Sequence, residues 1–444
     1  MEVNGMKLSG WLLRIALITV VVISGVFSWL ILQNPSRLER QDTSTVQTTV
    51  PIKTNTTQEN SVYLPTSAYY QGDAQKQFLT VATHDIVSQL QQELKGSRMG
   101  PIQSNTKLST AAYNALITSK NSLQLVYADS VPFALFNGRF FKKALSTKTN
   151  FQFNRILIRT QTAAQIILVN DKTRQIYTAR LRGVDTKKLM AVIKKGQTAG
   201  LPMTEQRFKN REVAMFTEPV SVRPYAYLLD RQSANHYISS LLTAQARGSV
   251  DARELGNETV YTVGTTHRLT TNAATGAMQY ENTAMPDPPK AQDKLFTETF
   301  KALAQLDLPS VTTMRYFALD PVAHAVTYRS FVQSFPIFNQ TENGTVKVTY
   351  NDTALQVDFS SDNVTVPIPT DQSAVKLPST VDLLAQLNAA GYANNKINNI
   401  VLGYQWMKQS ATDLVVDLQP AYYVEINGVY KQANDWLKNT SEEG

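Results

Sequence analysis

The chain has 444 residues, which at roughly 100–200 residues per domain predicts two to four domains. It is 43% hydrophobic and 18% charged, so it can bury sizeable cores and is neither collagenous nor wholly disordered. It has no cysteine, which excludes a disulfide framework, thiolate zinc or iron–sulfur sites, a cysteine nucleophile and a lipid-modified cysteine; its four histidines, His84, His236, His267 and His324, leave few candidates for histidine catalysis.

In chain order, the first feature is an uncharged run from Ile15 to Leu32, IALITVVVISGVFSWLIL. At ~1.5 Å per residue it spans about 27 Å, close to a bilayer's hydrocarbon core. Trp11 and Trp29 stand where interfacial aromatics belong, and Arg14 can snorkel to headgroups. A cleaved signal peptide has a shorter apolar core, of about 7–15 residues, ending in small residues. The run therefore predicts an uncleaved transmembrane helix at 15–33 after a cytoplasmic tail at 1–14. Local charges (Glu2, Lys7 and Arg14 before it; Arg37, Glu39 and Arg40 after it) hardly decide orientation. No second apolar stretch is long enough to span, and the missing cysteines fit an exported bacterial chain, so the bulk is expected to be extracytoplasmic in a single-pass membrane protein. Ser24 and Ser28 are four apart with Gly25 alongside, a spacing that lets another helix approach closely; small residues are also ordinary in single spans.

Residues 34–60, rich in Gln, Thr, Ser and Asn, are expected to be a flexible stalk. An N-terminal extracytoplasmic domain is expected over 61–150, with a helix from Phe78 to Leu94, a short helix from Thr110 to Thr118 and a strand from Leu123 to Tyr127. A central basic domain is expected over 151–285. Its strands are FNRILIR, QIILVN and QIYTARLR, followed by a helix from Lys187 to Lys195, another around Asn235 to Ala244, and a hairpin-like stretch from Glu258 to Asn282. Met285-Pro-Asp-Pro-Pro marks a boundary because proline continues neither ladder nor helix. A C-terminal domain over 286–444 opens with a helix from Leu295 to Leu306. It continues with the hairpin TVKVTY–Asn351-Asp352–ALQVDF and a helix from Val381 to Leu387, capped by Ser379 or Thr380. LVVDL and AYYVEI-Asn427-Gly428-VYKQA close the chain, Asn-Gly being a strong hairpin signal. The fold class is α+β, and the second and third domains share an order of strands, helix, strands.

The candidate chemistry does not assemble. Ser104-Asn-Thr-Lys107 matches the S-x-x-K of a cell-wall serine transpeptidase and Ser361-Asp-Asn363 its S-D-N. Yet Ser104 follows Gly100-Pro101 in what reads as a polar turn rather than a helix start, and no K-T-G exists. No two histidines stand at metal-ligating helical spacing, and no phosphate or dinucleotide loop occurs. Asn339, Asn343, Asn351 and Asn363 head N-x-S/T triplets, as expected from composition alone in a chain rich in Asn and Thr. No catalytic residue, cofactor or metal is expected. The net charge of +8 is uneven: Gly138 to Arg223 holds 18 Lys and Arg against five Asp and Glu. Such a face outside a membrane would meet anionic wall polymer or lipid, or simply keep a β-rich region soluble. Nucleic-acid binding is disfavoured for want of a recognisable module.

The order of segments resembles the YycH family of membrane-anchored regulators. The stretches that carry the resemblance are SWLILQNPSR at the span, VYLPTSAYY, LQLVYADSVPFALFN, YLLDRQSANHYISSLL, YTVGTTHRLTTNAATGAMQYEN and the terminal LQPAYYVEINGVY, which also resembles the ending of the related YycI. The resemblance implies three extracytoplasmic domains, the second and third similar to each other and to YycI. It implies a complex with YycI and the sensor histidine kinase YycG/WalK, formed partly through transmembrane helices, with Ser24, Gly25 and Ser28 as contact candidates. The expected role is a non-enzymatic regulator of an essential cell-wall-homeostasis two-component system in Gram-positive bacteria. The alternatives are an extracytoplasmic binding protein for anionic wall polymer or lipid and, disfavoured, a cell-wall serine transpeptidase.

Overall fold

The runs FNRILIR, QIILVN and QIYTARLR form the antiparallel strands Gln152–Arg159, Gln165–Asn170 and Gln175–Arg182. A computed structural model describes residues 56–438 except 72–76, 82, 121, 142–144, 146–149, 160–163, 197–199, 210, 244–248, 285–286, 340–342 and 409–413, together with Leu17. Apart from Leu17, the expected span at 15–33, with its candidates Ser24, Gly25 and Ser28, lies outside the described residues. Among the described residues no helix is long and apolar enough to cross a membrane.

The three strands are continued on both sides into a nine-stranded antiparallel sheet. Its order is Arg98–Lys107, Gln175–Arg182, Gln165–Asn170, Gln152–Arg159, Ser122–Pro132, Ser67–Gln71, Gln77–Thr80, Gly200–Phe208 and Arg211–Phe216. Period-two alternation explains why its centre is apolar on both faces. Ile156 and Ile158 pack with Ile86, Leu90 and Leu94 of the helix Thr83–Lys95, whereas Leu157 packs with Tyr113 and Leu116 of the helix Thr110–Ile117. Each such fully buried side chain contributes about 1.5–3 kcal/mol. Ser109 caps the second of these helices, its hydroxyl accepting from the Ala112 N–H at 3.2 Å.

Several local expectations shift. The helix expected from Phe78 begins at Thr83, because Phe78 is taken into the sheet opposite Tyr70. Residues 98–107 are a strand, not a polar turn, with register shifts around Gly100-Pro101 that accommodate the proline. Around 235–244 the helix is four α residues, Ala234–Tyr237, followed by a wider π-helical turn, Ile238–Thr243. The strand Gln152–Arg159, expected to open a central domain, pairs with Ser122–Pro132 before it.

A fourteen-stranded sheet takes most of the rest. One part runs Val250–Leu255, Glu258–Val263, His267–Asn272, Ala277–Asn282, Leu355–Ser360, Thr345–Tyr350, Ala325–Val332, with Met314–Asp320 paired to the last. The other holds Ile397–Lys408, Val415–Ile426, Tyr225–Arg231, Asp362–Ile368 and Val429–Gln432. The short strand Phe335–Phe338 joins them, antiparallel to the end of Ala325–Val332 and parallel to Ile397–Lys408. LVVDL and AYYVEI merge into one strand through Pro420, which lies between the end of one neighbour at Leu418 and the start of another at Tyr423. Asn427 and Gly428 both have positive φ, 53° and 81°, in the expected tight turn. Ser379 caps the helix Thr380–Ala389, and the helix Gln292–Gln305 packs Phe296 and Phe300 into the main core. Each of the two largest cores draws side chains from both sheets, and Ile52–Gly444 forms one compact unit.

Candidate functional site

Between the sheets lies a cleft of about 330 Å³. One wall comes from the nine-stranded sheet, through Tyr69, Val126 to Ser130 and the hairpin Gly200–Phe208/Arg211–Phe216. The other comes from Phe317, Phe335 and the start of Ile397–Lys408. Its charges are held in place. Asp129 accepts from its neighbour Ser130 N–H at 2.7 Å and from Leu319 N–H at 3.1 Å, on the opposite wall. Arg211 donates to the Ala128 carbonyl at 2.9 Å and stands 3.9 Å from Asp129. Burial works against the Arg211 charge, but Tyr430, Asp129 and Glu425 more than offset it and raise its pKa. Lys209, at the hairpin tip with φ 45°, reaches Asn398 Oδ1 at 2.6 Å.

Behind the cleft lies a buried charge network. Arg155, wholly buried, uses all five N–H groups: on Asp171 (3.0–3.1 Å), on Gln124 Oε1 (2.6 Å) and on both oxygens of Glu205. Asp171 also accepts from Tyr113 and Asn154, each at 2.8 Å, and Glu205 from Gln77 at 2.8 Å. Glu212 lines the cleft next to this network. Burial raises its pKa, the hydrogen bond from Arg207 at 2.7 Å opposes this, and nearby Asp171 and Glu205 raise it further. Its raised pKa thus follows from packing beside a structural network, with Arg207 occupying the carboxylate.

The histidines are scattered. His84 Nδ1 meets Arg315 at 3.1 Å, His236 Nε2 meets the Leu306 carbonyl at 3.3 Å, His267 Nδ1 meets the Tyr280 hydroxyl at 2.9 Å, and His324 sits in a turn with φ 48°. None lines the cleft. The backbone at Ser104 to Lys107 is a strand paired to Gln175–Arg182, not a helix start. Ser361 is buried and gives its hydroxyl to the Gly276 carbonyl at 3.2 Å, and Asn363 accepts from Ser310 at 2.6 Å. The two transpeptidase-like fragments therefore lie in different sheets, in roles that structure accounts for. The cleft offers fixed charges and aromatic walls for contact. Sequence reasoning missed Asp129, at the irregular part of the strand Ser122–Pro132, and Lys209 and Arg211, at a hairpin turn, none of which has a pattern of its own. Arg155 shares FNRILIR with Arg159, and sequence reasoning missed its burial as well.

The model of the YycH protein N-terminal domain matches residues 13–198, and that of the YycH protein C-terminal domain matches residues 210–439. The chain belongs to the YycH family. Consistent with that membership, the fold matches the crystal structure of YycH from Bacillus subtilis with a TM-score of 0.68 at 16% identity, covering 89% of this chain and 99% of that one. An uncharacterized protein from Eubacterium rectale gives a TM-score of 0.29 at 9% identity, over 52% of this chain and 88% of that one, too low to carry an argument. No curated protein matches. The strand-rich α+β architecture is thus shared with that YycH structure.

Proposed function

We propose that this protein is a non-enzymatic, membrane-anchored regulator of a cell-wall-homeostasis two-component system. It modulates a YycG/WalK-type sensor kinase within a membrane complex that includes a YycI-like regulator. The observation that carries this reading is the pair of family matches, which together take in nearly the whole chain from residue 13 to 439. The uncharged run at 15–33 supplies the anchor in this reading, with the amino terminus cytoplasmic and the bulk extracytoplasmic. Regulation by contact then works through population shift: only contacts that differ between two kinase states bias one over the other.

Pull-down of the anchored protein from a Gram-positive membrane tests this directly. Recovery of a sensor kinase and a YycI-like partner is expected, and recovery of neither removes the reading. Bulky substitutions at Ser24, Gly25 and Ser28 should weaken that complex more than equal changes on the opposite helix face.

A second reading, contact with anionic wall polymer or lipid, is favoured by one surface. On the edge strand Arg98–Lys107, Arg98 stands directly opposite Arg182, with Arg180 two residues away, and all three are exposed. Facing like charges on neighbouring strands repel, and a polyanion relieves that repulsion. Reduced sedimentation with phosphatidylglycerol vesicles after Arg180→Gln and Arg182→Gln would support it.

A further inference from the structure

A second crevice, of about 390 Å³, opens where the start of the helix Thr83–Lys95 meets the strand Met314–Asp320. Its deepest charge is Arg315, only 8% exposed. Arg315 donates through Nη1 to the Thr312 and Met314 carbonyls at 2.8 and 2.7 Å, and through Nη2 to His84 Nδ1 at 3.1 Å. These contacts use three of its five N–H groups, and among the described residues no carboxylate stands within salt-bridge distance of it. The contrast with Arg155, fully enclosed by two carboxylates, is chemical: Arg315 has neutral acceptors and no counter-charge. Burial alone brings its pKa down to about 10, so it stays cationic at neutral pH. A buried, uncompensated cation is costly and is ordinarily paired.

The surroundings add to the positive field. The amino-terminal end of a 13-residue helix faces the crevice. Burial and the Arg315 charge hold His84 below the usual histidine range, with Asp85 opposing. A neutral imidazole that accepts at Nδ1 carries its proton on Nε2, a donor at the mouth. Among the described residues Asp85 is the one carboxylate that lines the crevice, set against Arg315 and the helix terminus. Gln333, another wall residue, is held at φ 55°, a left-handed conformation uncommon for this residue type.

We propose that this crevice binds a phosphate-type oxyanion, with Arg315 as its fork-shaped donor and His84 Nε2–H at the rim. A guanidinium with free N–H groups in a recess matches the tetrahedral, multiply accepting shape of phosphate. The group comes either as free inorganic phosphate or as the headgroup of an anionic lipid.

Equilibrium dialysis of the full chain in detergent against radiolabelled inorganic phosphate, at constant ionic strength, tests the site. Saturable binding is expected, weakened about tenfold or more in Arg315→Gln and unchanged in Arg180→Gln. Thr312→Glu guards against a folding failure: Thr312 is exposed on the wall, and the new carboxylate supplies Arg315 with a counter-charge. This variant should stay folded and lose phosphate binding. Nanodiscs separate the two sources. Competition by phosphatidylglycerol but not phosphatidylcholine identifies the lipid headgroup, and equal phosphate binding in both identifies the free anion. Absence of saturable binding overturns the proposal, as does binding unchanged in Thr312→Glu.

Discussion

Arg155 and Asp171 form a two-pronged ion pair inside the nine-stranded sheet, Nε to Oδ1 and Nη2 to Oδ2 both at 3.0 Å, with both side chains shut off from water. Neither charge is tolerable there alone, because desolvation outweighs anything but a close counter-charge. Arg155→Met would leave Asp171 and Glu205 buried beside each other without their cation. The expected cost is about 3–5 kcal/mol. Urea unfolding followed by far-UV circular dichroism measures it, and a loss below ~1 kcal/mol would mean that water reaches the network.

Asp362 gathers two cations onto the fourteen-stranded sheet: Arg231 Nε at 2.6 Å and Lys408 Nζ at 2.9 Å. Burial by itself would raise its pKa, yet the hydrogen bonds and charges of Arg231 and Lys408 hold the carboxyl below the ordinary range. The folded pKa is thus depressed relative to the unfolded chain. The stabilisation is fully present above the unfolded value and is lost as pH falls through the folded one. Both cations are partly exposed and can be solvated when freed, so Asp362→Asn should cost only about 1–2 kcal/mol at neutral pH. Urea midpoints of the wild type and the variant should converge well below the carboxylate range. A gap that persists in acid would refute the electrostatic account.

The elements that can be read locally are those whose pattern repeats. FNRILIR, QIILVN and QIYTARLR alternate, and Asn427-Gly428 has the turn chemistry of a hairpin, so each lies where its residues place it. Phe78 is different: its spacing with Leu79 and Ile86 mimics a helix face, and only the partner strand, remote from any local signal, takes it into the sheet. The same holds for the cleft. Asp129 acquires meaning from Leu319, 190 residues away, and Lys209 from Asn398, 189 away. Long-range pairing leaves no period in the sequence.

Gly403 stands where two backbones come unusually close. A Cβ there would lie 2.8 Å from Phe338 Cδ2 and 2.8 Å from the Pro336 carbonyl oxygen. Phe338 cannot swing aside: its ring stacks on Tyr423 at 4.0 Å, and the Arg329 guanidinium lies 4.3 Å over it. This is the seam where Phe335–Phe338 joins the two parts of the larger sheet. Gly403→Ala should therefore cost about 1–3 kcal/mol through overpacking. Calorimetry should show a lowered melting temperature, whereas an unchanged one would mean that the seam can open.

Tyr63 fixes the segment that leads out of the first described helix, Thr56–Val62, to the far half of the molecule. Its hydroxyl donates to the Phe296 carbonyl at 2.7 Å and lies 2.7 Å from the Tyr328 hydroxyl, which in turn lies 2.8 Å from Thr299 Oγ1. All of these side chains are buried, so each lost partner leaves a polar group that water cannot reach. Tyr63→Phe preserves the ring contacts with Phe296 and Phe300 and removes only the hydroxyl. The expected cost is about 1–2 kcal/mol. If the three hydroxyls act as one chain, Tyr63→Phe and Thr299→Val should be non-additive, with a coupling of about 0.5 kcal/mol or more in a double-mutant cycle read by urea unfolding. Strict additivity would mean that Tyr328 serves its two neighbours independently.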